Sequence, residues 1–222
     1  MFFKLSNSID TKKVGVINQS SRLTGKVSGG LSVAIHSYIN ELKGNENFPE
    51  DIPILEEILL EEEAKVTDYI QVTYLPPTMG IVISERLKKE VEQLAITNYK
   101  FYEAVVTHKK REYPYYFLFL KDSGAVIDYP QSLFNVMDVF EEKILETKVF
   151  RNKEEQALYA QKIVMEGLQL IVPAEIKLTK YLDIVRVPYT GRIHISENLK
   201  NIIEKNKFSG MEVKAVMTRY NI

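Results

Sequence analysis

Apolar and polar positions follow two periods along this chain, and one combination of them occurs twice. Ile83-Ser84-Glu85-Arg86-Leu87-Lys88 returns as Ile195-Ser196-Glu197-Asn198-Leu199-Lys200, and the match runs without a gap from 83–105 to 195–217, a constant spacing of 112 residues (83 to 195). In each copy an apolar run leads into a Ser whose hydroxyl can accept from the free N–H groups of a helix start. The Glu after it lies at the positive end of the helix dipole. Leu87, Val91 and Leu94, and Leu199, Ile202 and Ile203, then recur at helical spacing. Asn98 and Gly210 stand where those helices should end, and both residue types readily take the left-handed conformation of a turn. Strands follow, over 99–107 and 211–218. The spacing thus predicts a duplicated strand, Ser-capped helix, turn and strand, with Ser84 and Ser196 as structural caps.

Around these copies the pattern is mostly that of strands. Residues 14–17 and 69–75 read as strands, and Pro76-Pro77-Thr78-Met79-Gly80 breaks the second. In Tyr113-Pro114-Tyr115-Tyr116-Phe117-Leu118-Phe119-Leu120 both faces are apolar, with Tyr113, Tyr115, Phe117 and Phe119 on one and Tyr116, Leu118 and Leu120 on the other. This predicts a central strand, preceded by a charged hairpin turn at 108–112. Further strands are expected over 125–127, 133–140, 143–151, 168–172 and 182–187, with Pro173 separating the last two. Asp128 and Ser132 suit a turn closed by side-chain to backbone hydrogen bonds. Helical spacing predicts helices over 31–43 and 153–166, and a third over the acidic segment 50–63. The expected fold class is α+β, a mixed or mainly antiparallel sheet with a few amphipathic helices and the duplicated unit. The Pro-rich break divides the chain into an N-terminal α/β segment, 1–78, packed on a main domain, 79–222, that holds both copies.

Composition changes this picture mainly by exclusion. The net charge of −1 over 222 residues provides no overall field toward nucleic acid or an anionic membrane, and Lys109-Lys110-Arg111 is the one basic cluster. There is no cysteine, which removes disulfide and thiolate chemistry. No uncharged run approaches the ~20 residues of a membrane span, and Met1 to Ser8 lacks the basic and apolar regions of a secretory signal. The expectation is a cytoplasmic protein with no nucleic-acid or membrane partner. Thr24-Gly25-Lys26-Val27-Ser28-Gly29-Gly30 lacks the spacing of a phosphate loop. The three histidines, His36, His108 and His194, match no metal-ligand spacing, and no nucleophile elbow or dinucleotide fingerprint occurs. No enzyme, metal or cofactor is expected. The carboxylates of Glu56, Glu57, Glu61, Glu62 and Glu63 form the candidate partner-binding surface, since a negative patch favours association with a basic protein.

The ordered motifs resemble a family of bacterial immunity proteins from polymorphic toxin systems, the group defined on a myxobacterial immunity protein and formerly a domain of unknown function. The resemblance rests on Lys4-Leu5-Ser6 to Lys13-Val14-Gly15, the first Ile-Ser-Glu-x-Leu-Lys unit, Tyr115-Tyr116-Phe117-Leu118, Ile127-Asp128-Tyr129 with Ser132, Val149-Phe150-Arg151, and the second unit closing at Phe208-Ser209-Gly210. The segment 152–191 is longer than the family pattern, and 50–63 has no counterpart in it. The resemblance implies a non-catalytic protein that binds and neutralises a cognate toxin encoded next to it. The alternative is a regulatory domain that binds a small molecule or nucleotide in a pseudo-symmetric cleft between the two copies.

Overall fold

The computed structural model describes residues 1–20, 22–23, 48, 58–72, 75, 80–121, 124–167, 169–186, 192–216 and 219–221. Its strands are β1 (Phe2–Asn7), β2 (Arg22–Leu23), β3 (Ile58–Leu59), β4 (Tyr69–Ile70), β5 (Gly80–Ser84), β6 (Tyr99–His108), β7 (Arg111–Leu120), β8 (Leu133–Asp138), β9 (Ile144–Lys148), β10 (Gln169–Lys177), β11 (Ile184–Arg186), β12 (Ile193–Ser196), β13 (Met211–Ala215) and β14 (Arg219–Asn221). The described helices are α1 (Thr11–Val14), α2 (Glu85–Val91), α3 (Lys153–Gly167) and α4 (Glu197–Lys205). The strands form three sheets, ordered β2-β3-β6-β7-β5-β4, β11-β12-β1-β13 and β14-β10-β8-β9. Nearly all neighbours are antiparallel, with β3/β6 and β10/β14 parallel. This is an α+β fold.

The duplicated units occupy equivalent places in the first two sheets. β5, α2 and β6 correspond to β12, α4 and β13, and each helix starts at its serine. The correspondence extends further, to strands whose sequences hide it. β7 lies between β5 and β6, with Tyr116 opposite Ile83 and Glu103. β1 lies between β12 and β13, with Phe3 opposite Ile195 and Ala215. Since Ile83 corresponds to Ile195 and Glu103 to Ala215, Phe3 corresponds to Tyr116. The edge strands β4 and β11 match in the same way, Tyr69 opposite Ile83 and Ile184 opposite Ile195.

In chain order the repeat is therefore β1, β4, β5, α2, β6, then β7, β11, β12, α4, β13, with the leading strand of each repeat inserted into the sheet of the other. This strand exchange joins the two halves of the chain. It also means that the division at residue 78 cuts through a sheet, because β1 pairs with strands from the end of the chain.

The alternation predicted for β7 is observed and explains the layering. Tyr116, Leu118 and Leu120 join Ile81, Ile83, Leu87, Phe3, Leu5, Ile193, Ile195 and Leu199 in a core shared by the two repeats. Tyr113, Tyr115, Phe117 and Phe119 face the opposite way, onto a second core with Ile58, Leu60 and Ile70. Phe2 and Val185, on the far face of the second sheet, pack against β8, β10 and α3 through Phe134, Val136, Ile163 and Ile171. Ile83 and Ile195 have no exposed surface, and full burial of such a side chain stabilises the fold by about 1.5–3 kcal/mol.

Several expectations require correction. Residues 58–63 are not helical: Ile58 and Leu59 pair in parallel with Val106 and Thr107, and the Leu60 N–H donates to the Thr107 carbonyl at 2.9 Å. The apolar alternation Ile58, Leu60 packs one face of a strand, and Glu62–Glu63 form a turn. Thr11–Val14 is a helical turn capped by Asp10, so 14–17 is not a strand. Residues 124–126 form a 3-10 turn. Pro173 does not end a strand but sits within β10 at an irregularity between Pro173 and Glu175, a position where a missing N–H is tolerated. The predicted helix over 31–43 and the glycine-rich segment 24–30 lie outside the described residues.

Candidate functional site

Both repeated serines are committed to structure. Ser84 Oγ accepts from the Leu87 N–H at 3.2 Å and donates to Asp68 Oδ1 at 2.9 Å. Ser196 Oγ accepts from the Leu199 N–H at 3.2 Å and donates to Asp183 Oδ1 at 2.5 Å. Asp68 and Asp183 directly precede the equivalent edge strands, and each reaches into the other repeat. Asp68 Oδ2 accepts from Ser209 N–H at 2.9 Å and from Ser209 Oγ at 3.0 Å, whereas Asp183 Oδ2 accepts from the Ala95 N–H at 3.0 Å. Arg86 and Asn198, at equivalent helix positions, complete the two clusters with bonds of 2.8 Å to Asp68 and 3.1 Å to Asp183.

Burial pushes the Asp68 carboxyl up, but bonds from Arg86, Ser209 and Ser84 outweigh it and hold it below the ordinary carboxylate range. Asp183 behaves alike, burial being outweighed by bonds from Ser196, Ala95, Tyr181 and Asn198. These are hydrogen-bonded carboxylates that hold the capping serines and clamp one repeat to the other. A general base needs a free acceptor directed at a reacting proton, and neither cluster offers one.

The sequence reading missed both aspartates. A signal was present in Asp68-Tyr69-Ile70-Gln71-Val72 and Asp183-Ile184-Val185-Arg186-Val187, but it falls three residues out of step with the repeat.

The other singled-out residues are dispersed. Asp128 caps a 3-10 turn, Tyr129–Gln131, accepting from the Gln131 N–H at 3.2 Å, and Ser132 Oγ donates to the Asp128 carbonyl at 2.6 Å. Ser132 Oγ also accepts from the Lys177 N–H at 3.0 Å, tying this turn to β10. Both residues are structural. Glu62 and Glu63 are exposed in their turn beside Glu61, and Glu56 and Glu57 lie outside the described residues, so the acidic surface is seen only in part. His108 is buried with its Nε2 3.2 Å from the Glu62 carbonyl, and His194 is buried with its Nδ1 on the Tyr220 hydroxyl. His36 lies outside the described residues. Among the described residues no three His, Asp or Glu side chains are grouped to hold a metal ion. No helix among them is long and apolar enough to cross a membrane.

What remains is a cleft between the second and third sheets, with a volume of about 830 Å³. Lys4, Arg192 and His194 form one wall, and Met137, Val139, Ile144, Leu170 and Val172 form the other, with Asp138 and Glu142 beside them. The β8–β9 hairpin is its lip. There Val139, Phe140, Ile144, Leu145 and Val149 are 46, 77, 51, 45 and 52% exposed. Scattered exposed apolar residues are ordinary, but five within eleven residues beside a cleft mark a contact surface. Asp138 accepts from the Phe140 and Glu141 N–H groups at 2.8 and 2.9 Å and so holds the turn that presents Phe140. By contrast, the described residues between the two repeats pack as a shared apolar core.

Compared with known proteins, the chain matches no family model and no curated protein.

Proposed function

We propose that this protein binds a cognate bacterial toxin and neutralises it by stoichiometric contact. The reading is supported by the order of the motifs along the chain and carried by one observation, the exposed apolar hairpin at the mouth of an amphipathic cleft. A partner of suitable shape would bury Phe140 and Ile144 at the centre of the contact. Its polar groups would meet charges of both signs in the cleft, Lys4 and Arg192 on one wall and Asp138 and Glu142 beside the hairpin. The turn at Glu61, Glu62 and Glu63 adds a separate negative surface for a basic region of the same toxin.

Co-expression with the product of the neighbouring reading frame tests this. The two proteins should co-purify, and cells making both should survive expression of the toxin. Phe140→Asp and Ile144→Asp place charge on exposed positions, so they should leave the fold intact and weaken the complex by ten-fold or more, as expected for central interface residues. Absence of a complex together with absence of rescue would overturn the proposal.

A further inference from the structure

β9 is an end strand of the third sheet, paired on one side with β8, and among the described residues no strand covers its other side. Alternate N–H and C=O groups of such a strand point outward and can receive another strand. The side chains of β9 bear on which strand that is. Glu146 and Lys148 lie opposite Val136 and Phe134, on the face of the sheet toward α3. Tyr159 of α3 orients both, its hydroxyl donating to Glu146 at 2.5 Å and its ring lying under the Lys148 ammonium at 4.7 Å. The two also pair with each other, Lys148 Nζ lying 3.4 Å from Glu146 Oε2, yet both remain partly exposed, Glu146 at 44 and Lys148 at 33%, and so can share their charge with a second strand.

We infer that this edge pairs with the β9 edge of a second copy of the chain, antiparallel and centred on Thr147. A two-fold axis normal to a sheet sets residues of like facing opposite one another. Centring on Glu146 would oppose two carboxylates, and centring on Lys148 two ammonium groups. Centring on Thr147 places each Glu146 opposite the other copy's Lys148, and the exposed Leu145 opposite Val149. Direct cross-strand pairs of this kind are favourable and like-charge pairs unfavourable. The irregularity between Val136 and Met137 ends the regular ladder at Leu145, so the contact is short. A short contact implies a weak dimer, with dissociation in the range of tens to hundreds of µM, roughly −5 to −6 kcal/mol. The pairing would join two third sheets edge to edge and cover Leu145 and Val149, while Phe140 and Ile144, the centre of the proposed toxin contact, lie outside the paired residues 145–149.

Sedimentation velocity over a concentration series up to several hundred µM reads this directly. The wild-type protein should shift from monomer to dimer. Glu146→Lys and Lys148→Glu should each sediment as monomers, because each homodimer would set like charges together, with circular dichroism confirming that both remain folded. An equimolar mixture of the two variants should dimerise as the wild type does, since the ammonium groups of one variant then face the carboxylates of the other. A wild-type protein that stays monomeric, variants that dimerise like the wild type, or a mixture that stays monomeric would each overturn the inference.

Discussion

His194 shows how much one buried side chain can govern this fold. It lies in β12 opposite Lys4 on one side and Val185 on the other, 4% exposed, with Tyr220 on its Nδ1. Burial, then the charges of Arg192 and Lys4, push its pKa down to about 4. The folded value lies below the unfolded value of about 6.5, so the neutral imidazole contributes its stability fully above that pH and loses it as pH falls toward 4. Denaturant unfolding should therefore show stability dropping by about 2 kcal/mol from pH 7 to 4.5, and His194→Gln should remove most of that slope. An unchanged slope in the variant would contradict the assignment. Asp68 and Asp183, depressed in the folded state, add stability that is present above the carboxylate range and lost below it, at more acid pH than His194. A lone His beside Ile195 in an apolar strand suits the core, where His194 is found. The aspartates were not legible in the sequence, because the β4–β5 connection is longer than the β11–β12 connection and a gapless comparison loses register there. They also act across the repeats, where only the folded chain brings Ser209 to Asp68.

At the scale of elements, the repeated helices end at Val91 and Lys205, and the turn residues expected at those ends, Asn98 and Gly210, stand instead just before β6 and β13. Asn98 and Gly210 both have positive φ, 53° and 90°. Their carbonyls accept from Lys121 and Ser8, the residues just beyond the exchanged strands β7 and β1, at 2.8 and 3.1 Å. At Gly210 a Cβ would lie 2.1 Å from the Tyr69 carbonyl oxygen and 2.6 Å from Thr67 Oγ1, so the position excludes any side chain. Gly210→Ala should cost about 2–4 kcal/mol, through both strain and steric overlap, whereas Asn98→Gly should change stability by less than about 1 kcal/mol. Equal effects in chemical denaturation would show that the two turns do not differ as the structure says. These turns and the Ser caps were readable because they are local: the residue at the cap forms the bond that defines it. The segment 58–63 was misread because its apolar spacing fits one face of either element. Pairing with β6, distant in sequence, decided between them.

For the whole molecule the governing feature is the exchange of β1 and β7 between repeats. It escaped the sequence because Phe2-Phe3-Lys4-Leu5 and Tyr115-Tyr116-Phe117-Leu118 share an apolar character but few identities, and a short central strand carries little pattern of its own. The exchange predicts how the chain can be divided. Lys109 and Lys110 form the tip between β6 and β7, both with positive φ, and a cut there separates the repeats without cutting a strand. Residues 1–109 and 110–222 produced together should associate into a folded complex, each supplying the strand missing from the other, while each alone should lack cooperative unfolding. Two independently folded fragments would contradict the exchange. This interlocked scaffold consumes its conspicuous Ser, Asp and His side chains internally and leaves the cleft and its apolar lip for contact. The most direct measurement of the functional reading is a titration: the activity of the toxin from the neighbouring reading frame, followed against the molar ratio of added protein. Stoichiometric binding predicts a linear fall that ends near one equivalent, with both proteins recovered unmodified as a complex. Loss of toxin activity at far lower ratios, or full activity in excess protein, would contradict it.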